Sequence, residues 1–401
     1  MKKLSGGVTA ARGFTAAGIH CGIKKRPILD LALLWSERAG PIAGVFTTNR
    51  VVAAPVVLDQ RHLRLGLGRA IIVNSGCANA CTGSMGMRAA EDTAALAARH
   101  LRIPTHHVFV GSTGVIGTPL PVSRVRRGFP TLAARLRRAG ADEAARAIMT
   151  TDTRPKQFAA QARIGGALVT VGGMAKGSGM IHPNMATMLA YVTTDAAILR
   201  AALQRALRHA ADRTFNRISV DGDTSTNDTV LCLANGMAEN RPIRIGAREY
   251  EAFIRLLTAV CESLALQVCR DGEGVTKLVE IRVRGAKSDE DARRIADTIA
   301  TSCLVKTALF GEDANWGRIL AAIGRAGVRV DPDRIALSIG DVPIVKRGVG
   351  LGPAAERRLA QVFRKKTFTI DSTVGRRSGQ ARMWTTDLSY DYVRINASYR
   401  S

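Results

Sequence analysis

Two hydrophobic periods interleave along this chain, and that interleaving restricts its fold more than any other feature. Val279, Ile281 and Val283 alternate with Glu280, Arg282 and Arg284, the period of two expected of a half-buried strand. Directly after it, Ser288 and Asp291 make a capping-box-like start for a helix whose inner side would be Ala292, Ile295, Ala296 and Ile299. Helical spacing recurs in Met87, Ala90, Ala94, Ala97 and Leu101, and again over 247–269. Ile198, Leu199, Ala202, Leu203, Ala206 and Leu207 share one helical face, with Asp195 as the candidate N-cap. Strand-like runs fall between these segments: VVAAPVVLD, AIIVNSG, HHVFVG, residues 163–172, TMLAYVTT, KKTFTID and YVRINA. There is no repeat of fixed period and no low-complexity tract. The expected class is α/β or α+β, with layered sheets flanked by helices.

At 401 residues the chain exceeds the size at which one core usually keeps growing, so two lobes are expected. The smaller α/β lobe is placed at about 240–345. The N-terminal segment MKKLSGGVTAARGF carries no apolar run behind its lysines, and no stretch reads as a membrane span. A cytoplasmic location is therefore expected. Seven cysteines are odd in number and dispersed, without a CxxC pair or clustered histidines, which predicts reduced thiols and no structural metal.

Lysine and arginine number 58 against 33 acids, a net charge of +25, of which residues 1–186 carry +17 and 187–401 carry +8. The densest basic run is Arg124, Arg126, Arg127, Arg135, Arg137 and Arg138. A nucleic-acid footprint would show such a patch, but it would also interleave aromatics, and Phe129 is the only one here. PTLAARLRRAG reads more simply as an amphipathic helix with a solvated arginine face, so nucleic acid is not expected as a partner.

The segment 172–187 places small residues, Lys176, His182 and Thr187 between two strand-like runs. Its glycines let a backbone approach a ligand closely. It does not match the phosphate-binding loop pattern, because Lys176 precedes Gly177 and no Ser or Thr follows in register. A threonine acts as a nucleophile when it begins a chain, since its own α-amine, with a pKa of about 8, lies beside the hydroxyl and takes its proton. Thr187 is internal, so that chemistry requires the Ala186–Thr187 bond to break. Read without further context, Thr187 is more simply a β-branched residue opening a strand.

The run GGMAKGSGMIHPNMATMLAYVTTDA resembles the self-cleavage region of the ornithine acetyltransferases (glutamate N-acetyltransferases) of arginine biosynthesis. GFTAAGIHCGIKK, NSGCANACTG, GSTGVIG, TDTRPK, FNRISVDGDTSTND, RDGEGVTK, LVKTALFGEDANWGRI and INASYRS resemble the same family, in its order, across essentially the whole chain. Cys77 stands where the family partly has Asn, and Ser398 where an acid is common. The resemblance implies a threonine-nucleophile fold cut between Ala186 and Thr187 into chains 1–186 and 187–401, assembling as two copies of each. It places the nucleophile at Thr187, an oxyanion hole at Thr113 and Gly114, and substrate contacts at Thr153, Lys176, Thr187, Glu273, Asn396 and Ser401. It implies acetyl transfer from N2-acetylornithine to glutamate through acetyl-Thr187 without a cofactor, and acetyl-CoA is a candidate second donor. The rival readings are a self-processing amidase or peptidase that hands its acyl group to water, and a basic RNA-binding protein.

Overall fold

The computed structural model describes residues 1–182 and 188–398. The proposed cleavage pair, Ala186 and Thr187, and the terminal Ser401 lie outside the described residues. The first half of the chain contributes strands β1 (Lys2–Leu4), β2 (Phe14–Ile19), β3 (Leu31–Phe46), β4 (Leu67–Cys77), β5 (Val108–Val115), β6 (Lys156–Ile164) and β7 (Ala167–Lys176). Among them lie helices α1 (Ala54–Leu63), α2 (Gly83–Leu101), α3 (Val122–Ala134) and α4 (Ala141–Ala147). Strands β8 (Leu189–Thr194), β9 (Ile218–Ser219), β10 (Thr229–Ala234) and β11 (Leu278–Ala286) follow, with helices α5 (Arg200–Arg213) and α6 (Arg248–Arg270). The remainder adds β12 (Ala336–Ile339), β13 (Val342–Lys346), β14 (Val349–Gly350), β15 (Thr367–Thr373) and β16 (Gly379–Thr386). Its helices are α7 (Asp289–Ala300), α8 (Cys303–Phe310), α9 (Trp316–Gly324), α10 (Pro353–Phe363) and α11 (Tyr390–Ser398).

The larger sheet runs β1-β6-β7-β8-β10-β3-β4-β5, with β2 also paired to β3. The long β3 joins its two halves: residues 31–36 pair with β2 and β4, and 42–46 pair with β10. Because side chains alternate across a strand, each half has two faces to cover. Val230, Cys232 and Ala234 of β10 join a core with α5 and α6, while Leu231 and Leu233 point into a second core between the sheet halves. On the other side Ile71 and Val73 of β4 enter that same central core, and Ala70 and Ile72 pack under α2 and α3. The result is a helix–sheet–sheet–helix stack. Strands buried on both faces read as unbroken apolar runs, which is why AIIVNSG and LAYVTT carry so little charge.

The smaller sheet runs β14-β13-β12-β15-β11-β16-β9, covered by α7, α9 and α10 around Ile281, Ile295, Ile299, Ile339 and Ile370. This lobe lies later than the 240–345 expected. Helix α6 is long and apolar enough by composition to cross a membrane, yet Phe253, Leu257, Val260 and Leu264 belong to the first core, and strands β15 and β16 beyond residue 345 complete the second sheet.

Several local expectations hold. Ser288 accepts the Asp291 N–H at 3.1 Å, and Ala292, Ile295, Ala296 and Ile299 are fully buried. Others do not. From Ala54 on, VVAAPVVLD becomes α1, since Pro55 stands in the first helical turn, where its missing N–H costs nothing. Residues 163–172 are a hairpin and not one strand, turning at Gly165 and Gly166, both at positive φ. Asp195 caps no helix: its carboxylate accepts the Thr170 and Arg12 N–H groups at 2.7 and 3.2 Å, and α5 begins at Arg200. YVRINA is helical, forming most of α11, and both neighbours of β11 and of β16 are other strands. Of the arginine run, only the first three lie on α3, whose buried side is Val125, Phe129 and Leu132.

Candidate active site

A cleft opens where β5, β7 and the turn after α6 converge. Thr113, Gly114, Lys176, Glu273 and Asn396, drawn from four separate stretches of sequence, all line it. Thr150, Thr151, Ser225, Thr226 and Asn227 complete its polar wall.

Strands β4 and β5 are parallel neighbours, and at their ends Ser75 pairs with Thr113 and Gly76 with Gly114. Gly114 has φ +131°, and a Cβ there would sit 2.4 Å from the Gly76 carbonyl carbon, so only glycine fits this close crossing. Asn227 ties the same crossing together, donating to the Ala78 and Ser112 carbonyls at 2.6 and 2.9 Å. These contacts hold the Thr113 hydroxyl and the Gly114 backbone at the cleft wall.

Lys176 ends β7 and is buried. Its Nζ donates to Thr113 Oγ1 at 2.9 Å. Burial lowers its pKa, while the carboxylates of Asp152, Asp228 and Glu273 oppose that shift. Across the cleft, Glu273 Oε2 accepts from Asn396 Nδ2 at 2.8 Å, and the Glu273 N–H donates to the Ser178 carbonyl at 3.0 Å. Gly179 allows this approach, since a Cβ there would fall 2.3 Å from Glu273 Oε2. An ammonium and a carboxylate in one cleft, with neutral hydroxyl and amide groups beside them, make a site suited to a zwitterionic amino acid.

The chain on both sides of 183–187 is held by aspartates. Asp221 accepts the Met180 and Ile181 N–H groups at 2.5 and 2.8 Å, and burial pushes its pKa up to about 6 against those bonds. Asp228 accepts the Met188 N–H at 3.0 Å through Oδ1, and among the described residues its Oδ2 has no partner. Burial drives this carboxyl well above the usual carboxylate range.

The structure places Thr153 outside the cleft. Its N–H and hydroxyl are both held by Asp271, and it faces a neighbouring cavity with Lys156 and Gln267. Cys77 is buried, with its thiol on the Thr118 carbonyl, and it does not line the cleft. Sequence reasoning gave no role to Asp152, Lys156, Asn227 or Asp228. The density of Asp, Asn and Thr in FNRISVDGDTSTND was the available signal for the last two, because buried polar residues at such density need mutual partners.

Comparison with known proteins extends the resemblance. The profile of the ArgJ family matches residues 15–401. An arginine biosynthesis bifunctional protein ArgJ from Symbiobacterium thermophilum is 54% identical over 100% of both chains. Another from Geobacter sulfurreducens is 51% identical over 97% of this chain and 99% of its own. A crystal structure of the protein of that name from Bacillus halodurans superposes with a TM-score of 0.50 at 44% identity, covering 52% of this chain and 98% of the solved one. The chain belongs to the ArgJ family, the ornithine acetyltransferases (glutamate N-acetyltransferases) of arginine biosynthesis.

Proposed function

We propose that this enzyme cuts itself before Thr187 and moves an acetyl group from N2-acetylornithine to glutamate on the freed Thr187. The observation that carries this reading is the meeting of Thr113, Gly114, Lys176, Glu273 and Asn396 in one cleft. The described chain resumes at Met188, whose backbone is anchored by Asp228.

In the cleavage step the Thr187 hydroxyl attacks the Ala186 carbonyl carbon, the acyl group shifts from nitrogen to oxygen, and water hydrolyses the ester. This leaves the Ala186 carboxylate and a free Thr187 amine. Until the bond breaks, Thr187 has a hydroxyl but no adjacent amine to take its proton. The Bacillus halodurans chain is covered almost entirely by about half of this one, as a chain severed near its middle would be.

In the transfer step the hydroxyl adds to the acetyl carbonyl of N2-acetylornithine while the Thr187 amine accepts its proton. Lys176 already donates to Thr113 Oγ1 and occupies a lone pair there, so the Thr113 hydroxyl hydrogen is turned outward to donate. That O–H and the Gly114 N–H meet the developing oxyanion. The carbon–nitrogen bond then breaks, the proton passes to the leaving ornithine amine, and acetyl-Thr187 remains. Glutamate reverses the sequence, its amine attacking the ester carbonyl and losing a proton as Thr187 is released. The buried Lys176 ammonium suits the substrate carboxylate, and Glu273, steadied by Asn396, suits the side-chain ammonium of ornithine. Cytoplasmic assembly as two copies of each half belongs to the same reading.

Purified enzyme supplied with labelled glutamate and either N2-acetylornithine or acetyl-CoA tests the proposal. N-acetylglutamate is expected from the first donor, and its yield from the second decides whether acetyl-CoA also serves. Release of acetate without dependence on glutamate would favour an amidase instead. Intact mass should show chains of 186 and 215 residues, and Thr187→Ala should remain a single inactive chain of 401.

A further inference from the structure

Behind the cleft lies a buried ion cluster that does not line it but is bonded to the backbone of its walls. Lys156 Nζ donates to Asp152 Oδ1 at 2.5 Å and to Asp271 Oδ2 at 2.6 Å, and the three side chains are at most 9% exposed. Asp152 also accepts the N–H of Gly177 at 2.8 Å, the residue directly after Lys176, and that of Thr150 on the cleft wall at 2.9 Å. Asp271 stands two residues before Glu273. Its backbone carbonyl accepts the Ser178 hydroxyl at 2.6 Å, while the Ser178 carbonyl accepts the Glu273 N–H. One ammonium therefore joins the strand end that carries Lys176 to the turn that carries Glu273.

We infer that the Asp152–Lys156–Asp271 cluster is a positioning and specificity-determining device: it sets the span between Lys176 and Glu273, and hence the length of diamino acid the cleft accepts. The inference rests on the substrate assignment above. A ligand held by its carboxylate at one end and its side-chain ammonium at the other is measured by the separation of the two receiving groups. One methylene more or less in such a span changes kcat/KM by about 10–200-fold when the walls are rigid. Rigid walls need supports locked by buried bonds, and this cluster supplies them on both sides. Burial alone would raise the Asp152 pKa, but the Lys156 and Lys176 ammonium groups hold its carboxyl below the usual carboxylate range, so it remains an anion beside its partners. Asp152 and Lys156 precede the proposed cut and Asp271 follows it, so in the cleaved enzyme the gauge would be assembled from both chains.

Asp271→Asn keeps the side-chain shape and removes the charge that faces Lys156. The expected result is a fall of about tenfold in the ratio of kcat/KM for N2-acetylornithine over N2-acetyllysine, the one-methylene-longer homologue. The kcat with N2-acetylornithine should stay within about threefold, because Thr113, Gly114 and Lys176 are untouched. Should Asp271→Asn fail to fold, Thr153→Val removes the hydroxyl bond to the same carboxylate from the exposed side and should lower the ratio in the same direction by about threefold. A folded variant whose ratio matches wild type, even with kcat and KM both worse, overturns the inference and leaves the cluster a structural prop. A wild type that transfers nothing from N2-acetylornithine overturns the substrate assignment as well, so the two failures are separable.

Discussion

Gly179 shows how closely the cleft is fitted at the scale of one residue. Its backbone needs no left-handed conformation, yet an added methyl group would meet the Glu273 carboxylate at 2.3 Å, and Asn396 limits where that carboxylate can retreat. Gly179→Ala should therefore raise KM for N2-acetylornithine about tenfold or more while leaving thermal unfolding nearly unchanged, since what is weakened is a charge-assisted contact of about 1.5–3 kcal/mol. Steady-state kinetics beside a melting curve checks both halves. Thr113→Val is the complementary case: it preserves volume but removes the hydroxyl donor, and kcat should drop about 10²–10³-fold with KM little changed. A matching rise in KM would point to ground-state binding instead. Thr113, Gly114, Lys176, Glu273 and Asn396 were nameable from sequence because each sits in a motif of the family. Asp152 and Lys156 carry no signal of their own in TDTRPK, because what distinguishes them is being buried together, and burial is a property of the fold.

At the scale of elements, helix α8 is tied to strand β16 by a lysine. Lys306 is buried, and its Nζ donates to the Thr386 carbonyl and to the hydroxyls of Thr385 and Thr386 at 3.3 and 3.1 Å. No carboxylate bonds it directly among the described residues, and burial lowers its pKa from 10.5 to about 8 against the more distant pull of Asp387 and Asp221. A lysine whose folded pKa is depressed binds fewer protons folded than unfolded between those two values. Stability should therefore rise with pH across that window. Comparing wild type with Lys306→Met by urea unfolding from pH 7 to 10, the wild-type curve should gain on the variant by about 1.4 kcal/mol per pH unit above pH 8. Parallel curves would show that the amine is not desolvated. The elements misread from sequence fail for a related reason. VVAAPVVLD and YVRINA carry β-branched residues, but α1 lies against the terminal strand β5 and covers it as a helix, and 390–398 fold as α11.

At the scale of the whole molecule, the proposed cut separates two neighbouring strands of one sheet. Strands β7 and β8 pair antiparallel from Val171–Thr194 to Lys176–Leu189, so residues on either side of 186|187 share a continuous hydrogen-bonded ladder. Met174 of β7 and Leu189, Tyr191 and Leu231 beyond the cut also share the central core with Phe14, Leu34 and Ile71. The two halves should therefore co-elute as one particle in gel filtration and separate only in denaturant, where mass spectrometry would find both. Dissociation in native buffer would refute a shared core.

By itself the sequence determined the alternation of strand and helix, the places of α2, α5, α6 and α7, and the motifs that name the family and its candidate nucleophile. These are local: periodicity, caps and residue runs survive without knowledge of what lies across the core. Only the tertiary structure decided that β3 serves both halves of the larger sheet, that α6 packs chiefly on that sheet while also meeting β9 and β16 of the smaller one, and that Lys176 and Glu273, 97 residues apart in sequence, line one cleft. The physical reason is the same in each case. Strand pairing, burial and the partner of a buried charge depend on residues distant along the chain, and no spacing within a motif records them.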